Sequence, residues 1–219
     1  NHNLSKYKIV VLPMMYSISN EQTEKIEEFV ANGGTIISTY MTGYTDETDL
    51  CYMGGFPGGK LKDVFGLVAD EIDTLYPNDE NSVSMAGKSY KAVDYCELLT
   101  LTTAQAIGVY EKDFYSGMPA VTINNYKKGK AYYIACRDTG ELSNELIKTI
   151  LDETKVIYHE LPDGVTVHTR GEIYTFVENY SDKDKTIALD KDYIDIESGE
   201  VITKTLNIKG FGLKILKNI

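Results

Sequence analysis

The spacing of apolar positions changes along this chain, and each change marks an element. Lys8 to Leu12, KIVVL, is a short apolar run closed by Pro13 and predicts a strand. In SISNEQTEKIEEFVANGG, Ile26, Phe29 and Val30 fall at i, i+3 and i+4 on one helical face. Ser19 with Gln22 fits a capping box, Glu21 and Glu24 sit where the helix dipole favours carboxylates, and Gly33-Gly34 ends the helix. TIISTY then supplies a second strand. A strand, helix and strand on short links predict a right-handed parallel crossover.

Residues 41–60, MTGYTDETDLCYMGGFPGGK, show no period and hold five glycines and three carboxylates. A loop this long in a compact domain is usually functional or at an interface. LKDVFG reads as a short helix ended by Gly66. Residues 67–109 read as short β segments: SVSM, SYKAVDY, CELLTL and AIGVY. In DFYSGMPAVTINNYKKGKAYYIACRD, residues 113–138, Ala120 to Tyr126 alternates and Lys127-Lys128-Gly129-Lys130 supplies a turn with a glycine for positive φ. Ala131 to Cys136 is nearly unbroken apolar, as expected of a strand buried on both faces. TGELSNELIKTILDETKVI predicts a helix with Leu142, Leu146, Ile150 and Leu151 on its apolar face and Ile147 beside them.

Beyond residue 157 the helical period stops. GVTVHTR, EIYTFVENYS, KTIALD, VITKTLNIKG and GLKILKNI are short strands bounded by turns, which predict a small antiparallel sandwich after a linker at ELPDGV, residues 160–165. The pattern divides the chain at 1–157 and 158–219.

Composition narrows the function classes. The chain has 219 residues, 42% apolar and 25% charged, enough for a sizeable core. Its net charge of −11 argues against nucleic acid or an anionic membrane as partner, because either would be repelled. No segment reaches the roughly 18 apolar residues of a membrane span. The opening NHNLSKYKIVVLP has neither an initiator Met nor a signal-peptide core, and reads as a processed, tagged or excised piece. Cys51, Cys96 and Cys136 are widely spaced, with no CxxC, so neither a zinc knuckle nor a disulfide framework is signalled. Reduced thiols in a cytoplasm account for them, Cys136 as a small core residue.

No motif builds a convincing active site. GGFPGG at 54–59 lacks the lysine of a P-loop and the strand-to-helix setting, so it reads as a tight turn. No cysteine lies in a G-x-C-x-G elbow, and His2, His159 and His168 are scattered. Asp46, Glu47 and Asp49 crowd together, but a retaining glycosidase needs carboxyls about 5 Å apart in a sugar cleft. Local crowding does not show that, and a solvated loop is the simpler reading. No metal-ligand spacing appears. Catalytic, cofactor-binding and metal residues are therefore none.

Five segments, LSKYKIVVLPMMY, FVANGGTIISTYMTGYTDETD, MGGFPGGKLKDVFGL, DFYSGMPAVTINNYKKGKAYYIACRD and GFGLKILK, jointly resemble the non-catalytic part of the family 42 glycoside hydrolases, the bacterial β-galactosidases. They occur in the family's order over nearly the whole chain. The resemblance implies an α/β domain of amidotransferase-like, flavodoxin-like, doubly wound three-layer type, truncated at its start, followed by a small antiparallel β-sandwich. It implies that the first domain mediates trimerisation, with a dimer as the variant a truncated chain could form. The family's catalytic glutamates lie in a (β/α)8 barrel that this chain lacks, so the chain is expected to be inactive alone. The family's α/β domain also opens with a strand, helix and strand ahead of LSKYK, and their loss would leave strand edges unpaired. Loops that would meet a neighbouring subunit or its substrate carry Tyr44, Asp46, Asp49, Phe56, Phe114 and Tyr115. For Phe114 and Tyr115 the alternative is packing on their own core.

Two other readings stand beside this one. A free-standing carbohydrate-binding or regulatory module suits the tyrosine-rich composition. A small amidotransferase-type hydrolase rests on the fold alone.

Overall fold

The computed structural model describes residues 3–219. They form two compact units that divide between Val156 and Ile157.

The first unit opens with the expected crossover. β1 (Ile9–Leu12) and β2 (Thr35–Thr39) pair in parallel, joined by α1 (Asn20–Ala31). The capping box forms: Ser19 Oγ accepts from the Gln22 amide, and Gln22 Oε1 accepts from the Ser19 amide. Ile26, Phe29 and Val30 are buried, as their spacing requires.

A short helix α2 (Leu61–Phe65) follows the long loop and ends on Gly66 in the left-handed conformation. Next come β3 (Leu67–Thr74), β4 (Asn81–Met85), β5 (Lys88–Leu101), β6 (Gln105–Tyr110), β7 (Pro119–Tyr126), β8 (Gly129–Ile134) and β9 (Cys136–Asp138), then α3 (Glu141–Thr154). Two expectations change here. SYKAVDY and CELLTL are one 14-residue strand, β5, which stays continuous through Asp94 at positive φ. LVADEIDT, not singled out in the sequence, is strand β3, its alternation hidden by an irregularity between Ala69 and Glu71.

The strands build one sheet in the order β1-β2-β8-β7-β6-β4-β5-β3, with β9 pairing to β5. Only β1, β2 and β8 run parallel to each other; every other pairing is antiparallel. The doubly wound expectation thus reaches three strands of a mixed sheet. Helices cover both faces. Ala131 and Tyr133 of β8 join a core with α1 and α2, whereas Tyr132, Ile134 and Cys136 join one with Leu142, Leu146 and Ile150 of α3. The unbroken apolar run is the signature of this two-sided burial. Leu151, expected on the buried face of α3, is only half-buried.

The β7–β8 turn corrects another detail. Lys127 takes the positive φ (51°), not Gly129. Gly129 is required for a different reason: a Cβ there would lie 2.2 Å from the Val30 carbonyl oxygen and 2.3 Å from that of Gly34. The end of α1 therefore rests directly on the start of β8.

The second unit is antiparallel throughout. β10 (Val165–Arg170), β11 (Tyr174–Asn179), β13 (Tyr193–Asp195), β14 (Val201–Ile202) and β16 (Leu213–Asn218) form one sheet. β12 (Lys185–Ala188) and β15 (Thr205–Ile208) form a second. Val165, Val177, Tyr193 and Leu216 of the larger sheet share a core with Ile187, Leu206 and Ile208 of the smaller one. Asp195, nearly fully buried, is held by Lys214 Nζ at 2.7 Å.

Candidate functional site

The polar centre of the first unit is Glu97, a residue the sequence reading did not single out. It lies on β5 inside the run CELLTL and is 0% exposed. Three donors converge on its carboxylate. Oε1 accepts from the Tyr44 hydroxyl at 2.7 Å and from the Met41 amide at 2.9 Å, and Oε2 accepts from the Tyr133 hydroxyl at 2.7 Å. No cation is among these partners. Burial pushes its pKa up, while the tyrosine and backbone hydrogen bonds pull the other way. Burial first, and then the Glu97 charge, push the Tyr44 and Tyr133 hydroxyls well above the usual phenol range. Below that range both phenols stay protonated and donate.

Met41 and Tyr44 belong to the base of the 41–60 loop, so Glu97 ties the loop to the sheet. Tyr44 also carries the loop's aromatic stack. Its ring lies 4.0 Å from Phe56 at 11° and 5.5 Å from Tyr16 at 19°. Phe56 is half-buried, and its carbonyl accepts from the Ala69 amide of β3 at 2.8 Å. Tyr44 and Phe56 are thus brought together as the loop's internal support.

The carboxylates of the loop play local parts. Asp46 Oδ1 accepts from the Thr48 amide and hydroxyl, both at 2.7 Å, and from the Leu50 amide at 3.2 Å. The Thr48 hydroxyl, then its amide, hold the Asp46 carboxyl below the usual range. Asp49 is exposed, at positive φ (63°), with its amide bonded to the Asp46 carbonyl at 3.2 Å. This is a self-capped turn. In GGFPGG, Gly54, Gly55 and Gly59 take positive φ, and a Cβ on Gly58 would strike the Tyr52 ring at 2.0 Å. A depression of about 490 Å³ beside the turn is lined by Asp46, Leu50, Cys51, Tyr52, Met53 and Lys62, among others. A second, of about 640 Å³, lies at the C-terminal end of α1. Among the described residues each has one lining carboxylate, Asp46 and Glu28 respectively, where glycoside hydrolysis uses a pair.

The 111–118 loop separates its two aromatic residues. Tyr115 is fully buried and donates to Asp73 Oδ2 at 2.7 Å, with its ring edge-on to Tyr110. The Tyr115 ring has no exposed surface and packs within the core of its own unit. Phe114 is 77% exposed, and its ring meets the Tyr115 ring edge to face. Leu50 and Met53 of the longer loop are also exposed, Met53 at 96%.

Of the remaining candidates, His159 and His168 lie in the second unit, and His2 lies outside the described residues. Among the described residues no group of three or more His, Cys, Asp or Glu side chains could hold a metal, and no helix is long and apolar enough to cross a membrane.

Comparison with known proteins gives these two units their family. The profile of the β-galactosidase trimerisation domain matches residues 1–157, and that of the β-galactosidase C-terminal domain matches residues 164–218. The β-galactosidase Pbg of Clostridium perfringens is 40% identical over 98% of this chain and 33% of its own length. GalA of Bacillus licheniformis is 34% identical over 97% of this chain and 32% of its own. Among solved structures, the β-galactosidase of Bacillus circulans sp. alkalophilus superposes with a TM-score of 0.89 at 32% identity, over 100% of this chain and 34% of that one. The cold-adapted enzyme of Rahnella sp. R3 gives 0.88 at 35% identity, over 100% and 33%. The chain therefore spans about a third of the length of the relatives it matches. It belongs to the family 42 β-galactosidases, of which it comprises the trimerisation domain and the C-terminal domain.

Proposed function

We propose that this chain is the assembly portion of a β-galactosidase, holding three copies together while a (β/α)8 barrel of the full protein hydrolyses terminal β-D-galactosides in the cytoplasm. The observation that carries this reading is the match of the trimerisation profile to the whole first unit. The centre of that unit supports it: the donors on Glu97 come from the protein itself and anchor a loop. On this reading the functional boundary falls at 157/158. The three parallel strands with helices on both faces suit an amidotransferase-like ancestry, with the antiparallel strands as additions.

The contact between copies, or with a neighbour's substrate site, falls on the 41–60 and 111–118 loops. Asp49 and Phe114 present surface, with Leu50 and Met53 beside Asp49 in sequence. Tyr44, Asp46, Phe56 and Tyr115 act from within by holding these loops in shape. Sedimentation of wild type and Phe114→Asp, with a chromogenic galactoside assay of both, tests the proposal. Expected are self-association weakened by the substitution and no turnover by either protein. Robust turnover by the pure chain would overturn the reading.

A further inference from the structure

Two buried thiols face each other across the β5–β9 pairing. Cys96 and Cys136 are direct partners in the register, and both are at most 1% exposed. The Glu97 amide donates to the Ala135 carbonyl at 2.7 Å. A bond between the residue after Cys96 and the residue before Cys136 makes the two cysteines a narrow, non-hydrogen-bonded pair. In such a pair the Cα atoms lie about 4.5 Å apart and the side chains point the same way, within the span that a disulfide bridges. Both side chains enter the same core cluster as α3. Both are free thiols here.

We propose that Cys96 and Cys136 form a reversible cross-strand disulfide with a low-molecular-weight disulfide, such as oxidised glutathione, as the oxidant. One cysteine thiolate attacks the glutathione disulfide and releases one glutathione. The second attacks the resulting mixed disulfide, forms the Cys96–Cys136 bond and releases the other glutathione. The two cysteines lose two electrons, glutathione disulfide gains them, and the two thiol protons end on the released glutathiones. The bond staples β9 to β5 one residue from Glu97 and closes a chain segment that contains β6, β7 and β8. Burial pushes the Cys96 thiol up to about 11 and the Cys136 thiol well above its usual range, so exchange in the closed fold is slow. The pair is set during folding or local opening.

The test refolds a Cys51→Ser chain from its reduced, denatured state in glutathione buffers that run from reducing to oxidising. All thiols are accessible at the outset, so burial does not limit the outcome. At the oxidising end the account predicts a native chain lighter by two hydrogen atoms, no alkylatable thiol in denaturant, and a peptide joining Cys96 to Cys136. It also predicts a melting point raised by about 5–10 °C, lost on reduction and absent in Cys51→Ser/Cys96→Ala. A native chain that keeps both thiols, or that carries glutathione on either, overturns the proposal. So does a bridged product that has lost its native near-ultraviolet circular dichroism.

Discussion

The Tyr44 hydroxyl donates to Glu97 Oε1 at 2.7 Å across 53 residues of sequence. That bond joins the base of the 41–60 loop to the middle of the longest strand, where Tyr133 of β8 completes the carboxylate's shell. A buried carboxylate without a cation is costly in its charged form. It persists here because three donors fix a loop and two strands together.

The pH dependence of Glu97 has an unusual sign. Its native pKa is raised above 4.5, chiefly by burial. The native state then holds the proton more tightly than the unfolded chain. The stabilising contribution is full below 4.5 and is lost as pH rises through the native value. Glu97→Gln should remove this slope, so the difference in melting point between variant and wild type should shift in the variant's favour as pH rises from 4.5. Glu97→Ala, which strands two phenols, should cost about 2–4 kcal/mol below pH 4.5, where the Glu97 contribution is full, and less as pH rises. A wild-type-minus-Gln difference that is flat with pH would contradict the account.

Asp195 of the second unit carries the opposite sign. Lys214 holds its carboxyl below 3.8, so the stability it brings is present above 3.8 and lost as pH falls through the lower native value. Asp195→Asn should cost about 1.5–3 kcal/mol at neutral pH, as for a hydrogen bond to a charged group. Calorimetry should place the loss in one transition only. An unchanged thermogram at pH 7 would show that the ion pair is immaterial.

The β7–β8 turn offers a paired test. Gly129→Ala drives a Cβ into two backbone carbonyls and should cost about 2–4 kcal/mol, because neither carbonyl can swing away. Lys127→Gly relieves about 1 kcal/mol of left-handed strain. It also gives up an exposed 3.1 Å pair with Glu27 that is worth less than that, so it should be neutral or mildly stabilising. Urea titration of both variants checks the contrast, and equal losses would refute it.

Phe114 and Tyr115 are adjacent and should behave as opposites. Tyr115→Ala empties a core position and should lower stability by about 3–5 kcal/mol. Phe114→Asp should leave the melting point of the isolated subunit within the range of surface substitutions, about 0.5 kcal/mol, and act on association. Thermal melts at low concentration separate the two effects.

The sequence made plain what depends on neighbours in the chain. Ser19 and Gln22 announce the start of α1, Gly66 announces the stop of α2 after Phe65, and the Ala131–Cys136 run announces a doubly covered strand. What lay beyond reach depends on pairings far apart in sequence. Glu97 looks like one polar position in CELLTL; its meaning comes from Tyr44 and Tyr133. A lone carboxylate inside an apolar strand run was the available signal. β5 looked like two strands because it changes partner from β4 to β3 around Asp94, which takes a positive φ, and β3 was masked by the irregularity at Ala69. The antiparallel majority of the sheet is a matter of order, which alternation along single strands does not encode.

The central claim is that this chain assembles, and the mass of the purified chain in solution tests it most directly. Light scattering over a range of concentrations should return three times the mass of one chain, stable on dilution. A mass equal to one chain at every concentration would contradict the assembly role of these residues.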